Sequence, residues 1–261
     1  MKIIQQLKKT YNFNNSKKQQ LFNRFINTNV YNLNNFIKSK ITDKLTPWQI
    51  TGFIDGEGSF TVSKTGNSVK LEIKATQKNN STKILYRMQE YFNCGSVVID
   101  NRKTGTMKYR VSSLNDILTI IIPHFDKYSC LTSKFLNYQD WKKIALKMEK
   151  KEHLTLVGLK EINSLILNMN KKRSFEDKYN YCKNSLCLTS NGEIKKNLPA
   201  EWVQAFLSGE ATFYNYIAES KSKSKGKIYT YQRCDSSLEI GQNSHDVLIL
   251  LAIKKFFSLA Q

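Results

Sequence analysis

Histidine is scarce in this sequence, and its cysteines follow no pairing pattern. Three histidines among 261 residues give little support to hydrolytic chemistry that rests on histidine. The five cysteines, an odd number at irregular spacing, predict free thiols and a reducing compartment. Cys182 and Cys187 lack the second pair of ligands that a zinc site needs. A zinc-centred or disulfide-stabilised fold is therefore not expected.

Long apolar runs are also missing. The longest, at residues 117–122 and 247–253, fall well short of the ~20 residues that a membrane span requires. No secretory signal is visible either. We therefore expect no membrane partner.

Acidic residues are few compared with basic ones. Lys and Arg number 41 against 21 Asp and Glu, which gives a formal net charge of +20. An excess of this size predicts a polyanionic partner, and without a membrane signal nucleic acid is the favoured one. The length leaves room for one large domain or two modest ones.

One stretch of the chain, residues 45–60, returns in altered form at residues 198–213. Each copy has a proline near its start, which suits the first turn of a helix, and continues with a tryptophan and an apolar run. Small residues then recur at a spacing of four, which places them on one helical face where two backbones can approach closely. These predicted helix-interface residues are Gly52, Gly56, Ala205 and Gly209.

Each predicted helix ends on one acid, Glu57 or Glu210. A carboxylate at a helix C-terminus is locally unfavourable, and two side by side are worse unless cations lie between them. Mg²⁺ commonly uses one or two carboxylates together with substrate phosphate oxygens. The repeat therefore predicts a metal site at the foot of a helix pair, with Glu57 and Glu210 as ligands. A glycine-capped helix with an incidental acid explains one copy well and two copies poorly.

Residues 50–58 resemble the nine-residue signature of the LAGLIDADG homing endonucleases, in the double-motif monomeric form of mitochondrial group I introns, and residues 203–211 resemble its second copy. The second copy departs from the pattern at Ser208, where an acid is usual, and at Ala211, where glycine is usual. A residue just past the helix end can require positive φ, which alanine tolerates poorly, so the departure at Ala211 matters more.

The resemblance implies an α+β fold of two pseudo-symmetric αββαββα halves with saddle-shaped antiparallel sheets, the second half incomplete here. It also implies a mitochondrial, Mg²⁺-dependent endonuclease that cuts both strands across the minor groove of a long, nearly asymmetric duplex site. In the family a glutamine at the end of the second strand of each half orders water near the metals, and Gln77 and Gln242 match it. Lys134 is the nearest match to a lysine that lines the family's site.

After the first motif the apolar period changes from 3.6 to 2, which predicts strands at 59–63, 69–76, 96–101 and 107–112. Helices are predicted at 81–92, 114–122, 131–147 and 155–168. A sheet with one apolar face and one face of Lys, Arg, Ser and Thr suits reading DNA in the major groove, although any single residue could simply be solvated. The predicted DNA-binding residues are Ser59, Thr61, Ser63, Lys70, Glu72, Lys74, Lys108, Arg110, Thr212 and Tyr214.

We expect four segments: a basic extension (1–43), a first half (44–170), a linker (171–197) and a second half (198–261). The extension is interpreted as a targeting sequence, a phosphate-binding arm or exon read-through. The second half repeats the first with an insertion at 221–225, predicted to lengthen a hairpin loop. It contains nothing that corresponds to the second hairpin. We therefore expect either a fragment or a natural truncation, which cuts poorly alone.

Three functions remain open. The leading one is a monomeric site-specific DNA endonuclease with an internal pseudo-two-fold. A maturase that binds group I intron RNA on the same fold is the first alternative, although RNA binding alone gives no reason to retain both acids. An inactive, truncated remnant is the second.

Overall fold

Helices and antiparallel strands alternate along the chain in the computed structural model, which describes residues 44–66, 68–224 and 226–258. The extension 1–43 lies outside the described residues, as does position 225 of the predicted loop. The α+β fold class is confirmed. The elements are α1 (Pro47–Glu57), β1 (Gly58–Thr65), β2 (Ser68–Lys78), α2 (Lys83–Phe92), β3 (Ser96–Asn101), β4 (Thr106–Val111), α3 (Leu114–Asp116), α4 (Ile122–Lys127), α5 (Lys134–Glu149), α6 (Leu156–Leu167), α7 (Phe175–Ser185), α8 (Ala200–Glu210), β5 (Ala211–Ser224), β6 (Lys227–Ile240) and α9 (Val247–Ser258).

The first sheet has the order β1-β2-β4-β3, and all of its neighbouring strands are antiparallel. Buried and exposed side chains alternate along its strands, as the sequence pattern predicts. Phe60 and Ile73, for example, lie opposite each other and both are buried. Phe60 packs against Phe125 and Trp141, with ring centroids 5.2 and 5.4 Å away. One face of the sheet therefore covers the first core and leaves the other face to solvent.

The second half contains a separate core. Trp202 of α8 stacks on Phe206 with ring centroids 4.6 Å apart, and both rings are fully buried. Ile249 and Ile253 of α9 complete this core at the spacing of one helical turn. In the described residues, β5 pairs only with β6.

The predicted linker contains a helix that the sequence reading missed. Residues 175–185 form α7, capped by Ser174, whose side chain accepts a hydrogen bond from the Asp177 amide. Cys182 and Leu186 from this region are fully buried in the second core. The sequence pattern did not predict α7, because most of its residues are polar and the helix buries only a narrow strip around Cys182.

The predicted long loop at 221–225 is also wrong. β5 and β6 pair continuously from Ala211↔Ile240 to Ser224↔Lys227, so the inserted residues lengthen the strands instead. Gly226 follows at φ 79°, a left-handed conformation that glycine adopts without strain.

Two predicted helix boundaries also differ. α5 begins at Lys134 rather than at residue 131. The helix predicted to end at residue 122 continues to Lys127. A π-helical turn at Ile117–Ile121 comes just before Pro123, which lies in the first turn of α4. Proline lacks the N–H that a regular turn needs, and the wider turn accommodates this loss.

Candidate active site

The two motif helices pack through the small residues singled out in the sequence. A Cβ built on Gly52 of α1 would lie 2.4 Å from the backbone oxygen of Trp202 in α8. No side chain fits in that space, so glycine permits direct contact between the two backbones. Ala205 lies buried in the same interface. Away from the glutamates, in the first turn of α1, Gln49 donates a hydrogen bond to Gln204 across the helix pair.

At the C-terminal ends of the two helices, each glutamate side chain packs against the other helix. A Cβ built on Gly209 would lie 3.0 Å from Cγ of Glu57, and one built on Gly56 would lie 3.4 Å from Cγ of Glu210. Each acid therefore packs against the glycine that precedes the other acid. This exchange places both carboxylates at the foot of the helix pair.

The pKa of Glu57 reflects the proximity of the two carboxylates. Burial raises the pKa of the Glu57 carboxyl, and the nearby charge of Glu210 raises it further. Lys134 and a hydrogen bond from the Gln77 side chain oppose that increase. The structure thus brings together four residues of the predicted site: Glu57, Glu210, Gln77 and Lys134.

Lys134 occupies a more specific position than the sequence indicated. Its buried ammonium donates to the backbone oxygens of Ile54, Gly56 and Gly58, at 2.8, 3.2 and 2.6 Å. These carbonyls form the negative end of α1. Burial lowers the pKa of Lys134, and the surrounding acids, Asp55 foremost, oppose this. Lys134 therefore neutralises the helix end that carries Glu57.

Asp55 is a buried residue of the site region that sequence reasoning missed. Its carboxylate accepts hydrogen bonds from the Leu131 amide, the Thr132 hydroxyl and the Trp202 indole N–H, at 2.8, 2.6 and 2.8 Å. Burial raises the pKa of Asp55 despite these donors and despite Lys134. The one available signal was its place in the motif, two residues before Glu57. Asp55 joins both motif helices to the segment that leads into α5.

We expect Trp202→Phe to lower the free energy of unfolding by about 1–2 kcal/mol, because it removes one of the three donors to a buried carboxylate. Urea denaturation measures this loss. Trp48→Phe is the matched control, since Trp48 of α1 is only half-buried and makes an edge contact with Tyr128. Equal losses in the two variants would show that ring size, and not the bond to Asp55, sets the cost.

A second buried aspartate fastens α5 to the other half. Asp246 accepts from the Ser133 amide and hydroxyl at 2.8 and 2.9 Å, and from the Cys182 thiol at 2.9 Å. Burial raises the pKa of the Cys182 thiol, and the charge of Asp246 adds to the shift. Residues 131–134 are thus held from both halves beside the glutamates.

Eight of the predicted DNA-binding residues share the solvent face of the first sheet. Register places Ser59 beside Lys74, Thr61 beside Glu72 and Ser63 beside Lys70, and continues from Lys74 to Arg110. Two of the cations there have acidic partners: Arg110 lies 3.7 Å from Glu72, and Lys108 lies 3.2 Å from Asp100. The face is therefore basic and internally ordered.

The predicted residues of the second half lie on and just beyond its hairpin. Gln242 lies just beyond β6 and is half-buried. Thr212 and Tyr214 lie on one exposed face of β5. Gln77 contacts a glutamate, and the role of Gln242 stays a prediction.

The expected requirement for positive φ after each motif helix is wrong. Gly58 has φ −88° and Ala211 has φ −98°, both extended. Alanine at 211 therefore carries no conformational penalty. Glycine at 58 answers a steric need, since a Cβ there would lie 2.7 Å from Cδ1 of Ile54.

Within the described residues no group of three or more His, Cys, Asp or Glu side chains is arranged to hold a metal ion. The glutamate pair fits a different mode, in which two carboxylates share a hard cation with oxygen atoms of the substrate. The repulsion that raises the pKa of Glu57 is what such a cation would relieve. Across the described chain no helix has the length and apolar character needed to cross a membrane.

Comparison with known proteins agrees with this geometry. The family described as LAGLIDADG endonuclease matches residues 50–145. "Probable intron-encoded endonuclease 2" of Neurospora crassa is 30% identical over 82% of this chain and 48% of its own length. The chain spans about half the length of two of the curated relatives it matches, 48% and 49%, and about a quarter of two others, 24% and 26%.

Solved structures extend the likeness to the second half. The meganuclease I-SmaMI bound to uncleaveable DNA is 30% identical, with a TM-score of 0.65 over 81% of this chain and 72% of that one. I-SmaMI bound to uncleaved DNA in the presence of calcium ions is 30% identical, with a TM-score of 0.62 over 82% of this chain and 73% of that one. I-CpaMI bound to uncleaved DNA shares the fold, with a TM-score of 0.66 at 24% identity over 84% and 74%.

Proposed function

The chain belongs to the LAGLIDADG endonuclease family, and from that premise we propose that it is an intron-encoded homing endonuclease that hydrolyses double-stranded DNA at a specific site. The observation that carries this proposal is the crossed packing of Glu57 over Gly209 and of Glu210 over Gly56. It sets two carboxylates at the foot of a helix pair, where one strand of the duplex can meet each acid.

The cofactor we propose is a divalent cation, Mg²⁺, held by Glu57 and Glu210. Such an ion supplies positive charge against the scissile phosphate and lowers the pKa of a bound water. Gln77 orients the Glu57 carboxylate through its hydrogen bond, and Lys134 balances the negative charge from the buried side. The calcium ions in the I-SmaMI structure support a divalent metal.

The partner we propose is a long duplex bound by a monomer with an internal pseudo-two-fold. I-SmaMI and I-CpaMI, two of the proteins whose solved structures resemble this chain, were determined with DNA. The first sheet presents hydroxyl and basic side chains, whereas the exposed face of β5 presents Thr212 and Tyr214. Because the two faces differ in chemistry, the two half-sites should differ in sequence.

The proposed domain division is 1–43, 44–170, 171–197 and 198–261, with α7 inside the third segment. The proposed location is the mitochondrion, because the chain resembles the intron-encoded type found there and its curated relatives are described as intron-encoded.

Cleavage of the intronless exon junction tests the proposal. We expect Mg²⁺-dependent cutting or nicking of this duplex that EDTA abolishes, because the paired carboxylates cannot act on a phosphate without a cation. A scrambled duplex of equal length is the control. Tight binding of intron RNA without any nicking would favour the maturase, and loss of both activities would indicate an inactive remnant.

A further inference from the structure

The start of α5, which carries Lys134, is attached to the second half of the chain through one buried side chain. Asp246 lies directly before α9 and is only 5% exposed. Its Oδ1 accepts hydrogen bonds from the Ser133 amide and the Cys182 thiol, and its Oδ2 accepts one from the Ser133 hydroxyl. His245 Nε2 lies 3.4 Å from the same Oδ2. A residue of the second half therefore holds the residue that precedes Lys134.

Ser133 makes this contact instead of capping its own helix. A serine at the N-cap usually accepts a hydrogen bond from an amide of the first turn, which stabilises a helix by about 1 kcal/mol. Ser133 is the N-cap of α5, but its backbone is already helical, at φ −57° and ψ −10°, and among the described residues its side chain accepts no capping hydrogen bond from α5. The hydroxyl donates to Asp246 instead. A contact between the two halves thus replaces the local cap.

The turn before α5 is fixed from two directions. The Lys134 amide donates to Oγ1 of Thr132 at 3.3 Å, and the Thr132 hydroxyl donates to Asp55 of α1. Asp246 holds the intervening residue, Ser133, from the second half. Because Lys134 follows Ser133 directly, the place where its side chain begins is set by both aspartates.

The Lys134 ammonium has little freedom to move. It donates to three carbonyl oxygens at the end of α1, at 2.6 to 3.2 Å. Burial lowers the pKa of Lys134, and Glu210 and Asp246 are among the acids that oppose this. Hydrogen bonds of this kind weaken quickly beyond their normal range, and a displacement of about 1 Å near a reacting centre can cost on the order of 100-fold in rate. A contact that fixes Ser133 therefore also fixes the positive charge beside Glu57.

We propose that Asp246 is a positioning residue for cleavage: by holding Ser133 from the second half, it places the Lys134 ammonium at the end of α1 beside Glu57. This inference rests on the proposed nuclease function and extends it to a buried residue that does not itself contact DNA. It makes the charge balance at Glu57 depend on the docking of the second core.

Single-turnover cleavage at saturating protein separates the chemical step from binding. We expect Asp246→Ala to lower the cleavage rate constant by about 10- to 100-fold and to leave Kd for the duplex within about 2-fold. Asp246→Asn should stay within about 5-fold of the parent, because its amide oxygen still accepts from the Ser133 N–H and its NH₂ group donates to the Ser133 hydroxyl. Equal losses in the two variants would overturn the proposal, since charge and not position would then matter.

A double variant shows whether Asp246 acts through Lys134. In the Lys134→Met background, Asp246→Ala should cause little further loss, because changes that act through one group are not additive. Losses that multiply would contradict the proposal. Asp140→Ala is the matched control, since Asp140 is 6% exposed and pairs with Arg173 and Lys143 rather than with the turn before α5. It should lose stability and still cut at the parental rate, whereas an equal loss of cutting would assign the effect of Asp246→Ala to stability alone.

Acetylation of lysines, read by mass spectrometry without metal or DNA, reports the position of Lys134 independently of cleavage. Lys134 should be protected in the parent protein and in Asp246→Asn, and several-fold more reactive in Asp246→Ala. Lys142 of the same helix, paired with Asp126, should react equally in all three. Unchanged protection of Lys134 would refute the positioning role. If the parent protein cut no duplex while the labelling behaved as expected, only the proposed nuclease function would fail.

Circular dichroism shows whether each variant is folded. Should Asp246→Ala not fold, Ser133→Ala takes its place, because it removes only the hydroxyl bond and keeps the amide bond to Asp246. The same pattern is expected with a smaller loss: slower cutting, unchanged duplex affinity and increased acetylation of Lys134. Parental cutting together with parental protection of Lys134 in Ser133→Ala would then count against the proposal.

Discussion

Replacing either glutamate with glutamine, Glu57→Gln or Glu210→Gln, should reduce cleavage by about 10³-fold or more while leaving duplex binding intact. The loss is on the scale of removing a principal electrostatic contributor to a transition state. Binding should persist because the contacts of the sheet face are untouched. Strand cutting in Mg²⁺ measures the first effect, and gel shift in EDTA measures the second.

Glu57→Gln should also be more stable than the parent protein without metal. Burial and Glu210 raise the folded-state pKa of Glu57 above its unfolded value, so the ionised carboxylate weakens the fold at neutral pH. The folded state binds the proton more tightly, and this contribution to stability therefore grows as the pH falls through that raised pKa. Glu57→Gln removes the dependence, so its melting temperature in EDTA should exceed the parent's at neutral pH by more than at acidic pH.

Glu201→Gln provides the matched control, because Glu201 lies in the first turn of α8, at the opposite end of the helix from Glu210. It should cut like the parent protein and lose only a few tenths of a kcal/mol from the helix dipole. Parental cutting by Glu57→Gln or Glu210→Gln would refute the proposed catalytic pair, whatever happens to stability.

The features visible in the sequence were those whose physical cause is local. The alternation of Phe60 and Val62 with polar residues gave both the strand and its buried face, because the side-chain period of a strand is two. Glycine at positions 52 and 56 indicated a close helix contact because residues four apart lie on one face of a helix. These patterns need no knowledge of distant residues.

Apart from the contact between the two repeated helices, contacts between distant segments were not predictable in this way. The three carbonyls that hold Lys134 lie 76 to 80 positions away along the chain, and Trp202 reaches Asp55 across 147 positions. The segment 175–185 looked like a linker because its helix buries little, and the Lys-Ser run at 221–225 looked like a loop although its strands remain paired through Ser224. Tertiary packing overrode local propensity for Lys134, Asp55 and α7, and pairing between β5 and β6 did so for the Lys-Ser run.

Gly52→Ala should destabilise the protein by about 3 kcal/mol, although alanine is the better helix former by up to ~1 kcal/mol. The new Cβ would lie 2.4 Å from the Trp202 backbone oxygen and 3.0 Å from its Cα. Backbone atoms in a packed helix cannot move aside alone, so α1 and α8 must separate. For a domain of this size the melting temperature should fall by roughly 6–12 °C. Cleavage should fall as well, because separating the helices moves Glu57 away from Gly209.

Gly56→Ala is the internal comparison, since it makes the same change one turn later on the same helix. Its Cβ would meet Cγ of Glu210 at 3.4 Å, an ordinary contact with a side chain that can adjust. We expect its stability to lie within about 1 kcal/mol of the parent's, on the favourable side, because helix propensity then dominates. Cleavage by this variant reports how far Glu210 can move before the pair fails. If thermal melts gave the two alanine variants the same stability, backbone contact at Gly52 could not be what holds the two halves together.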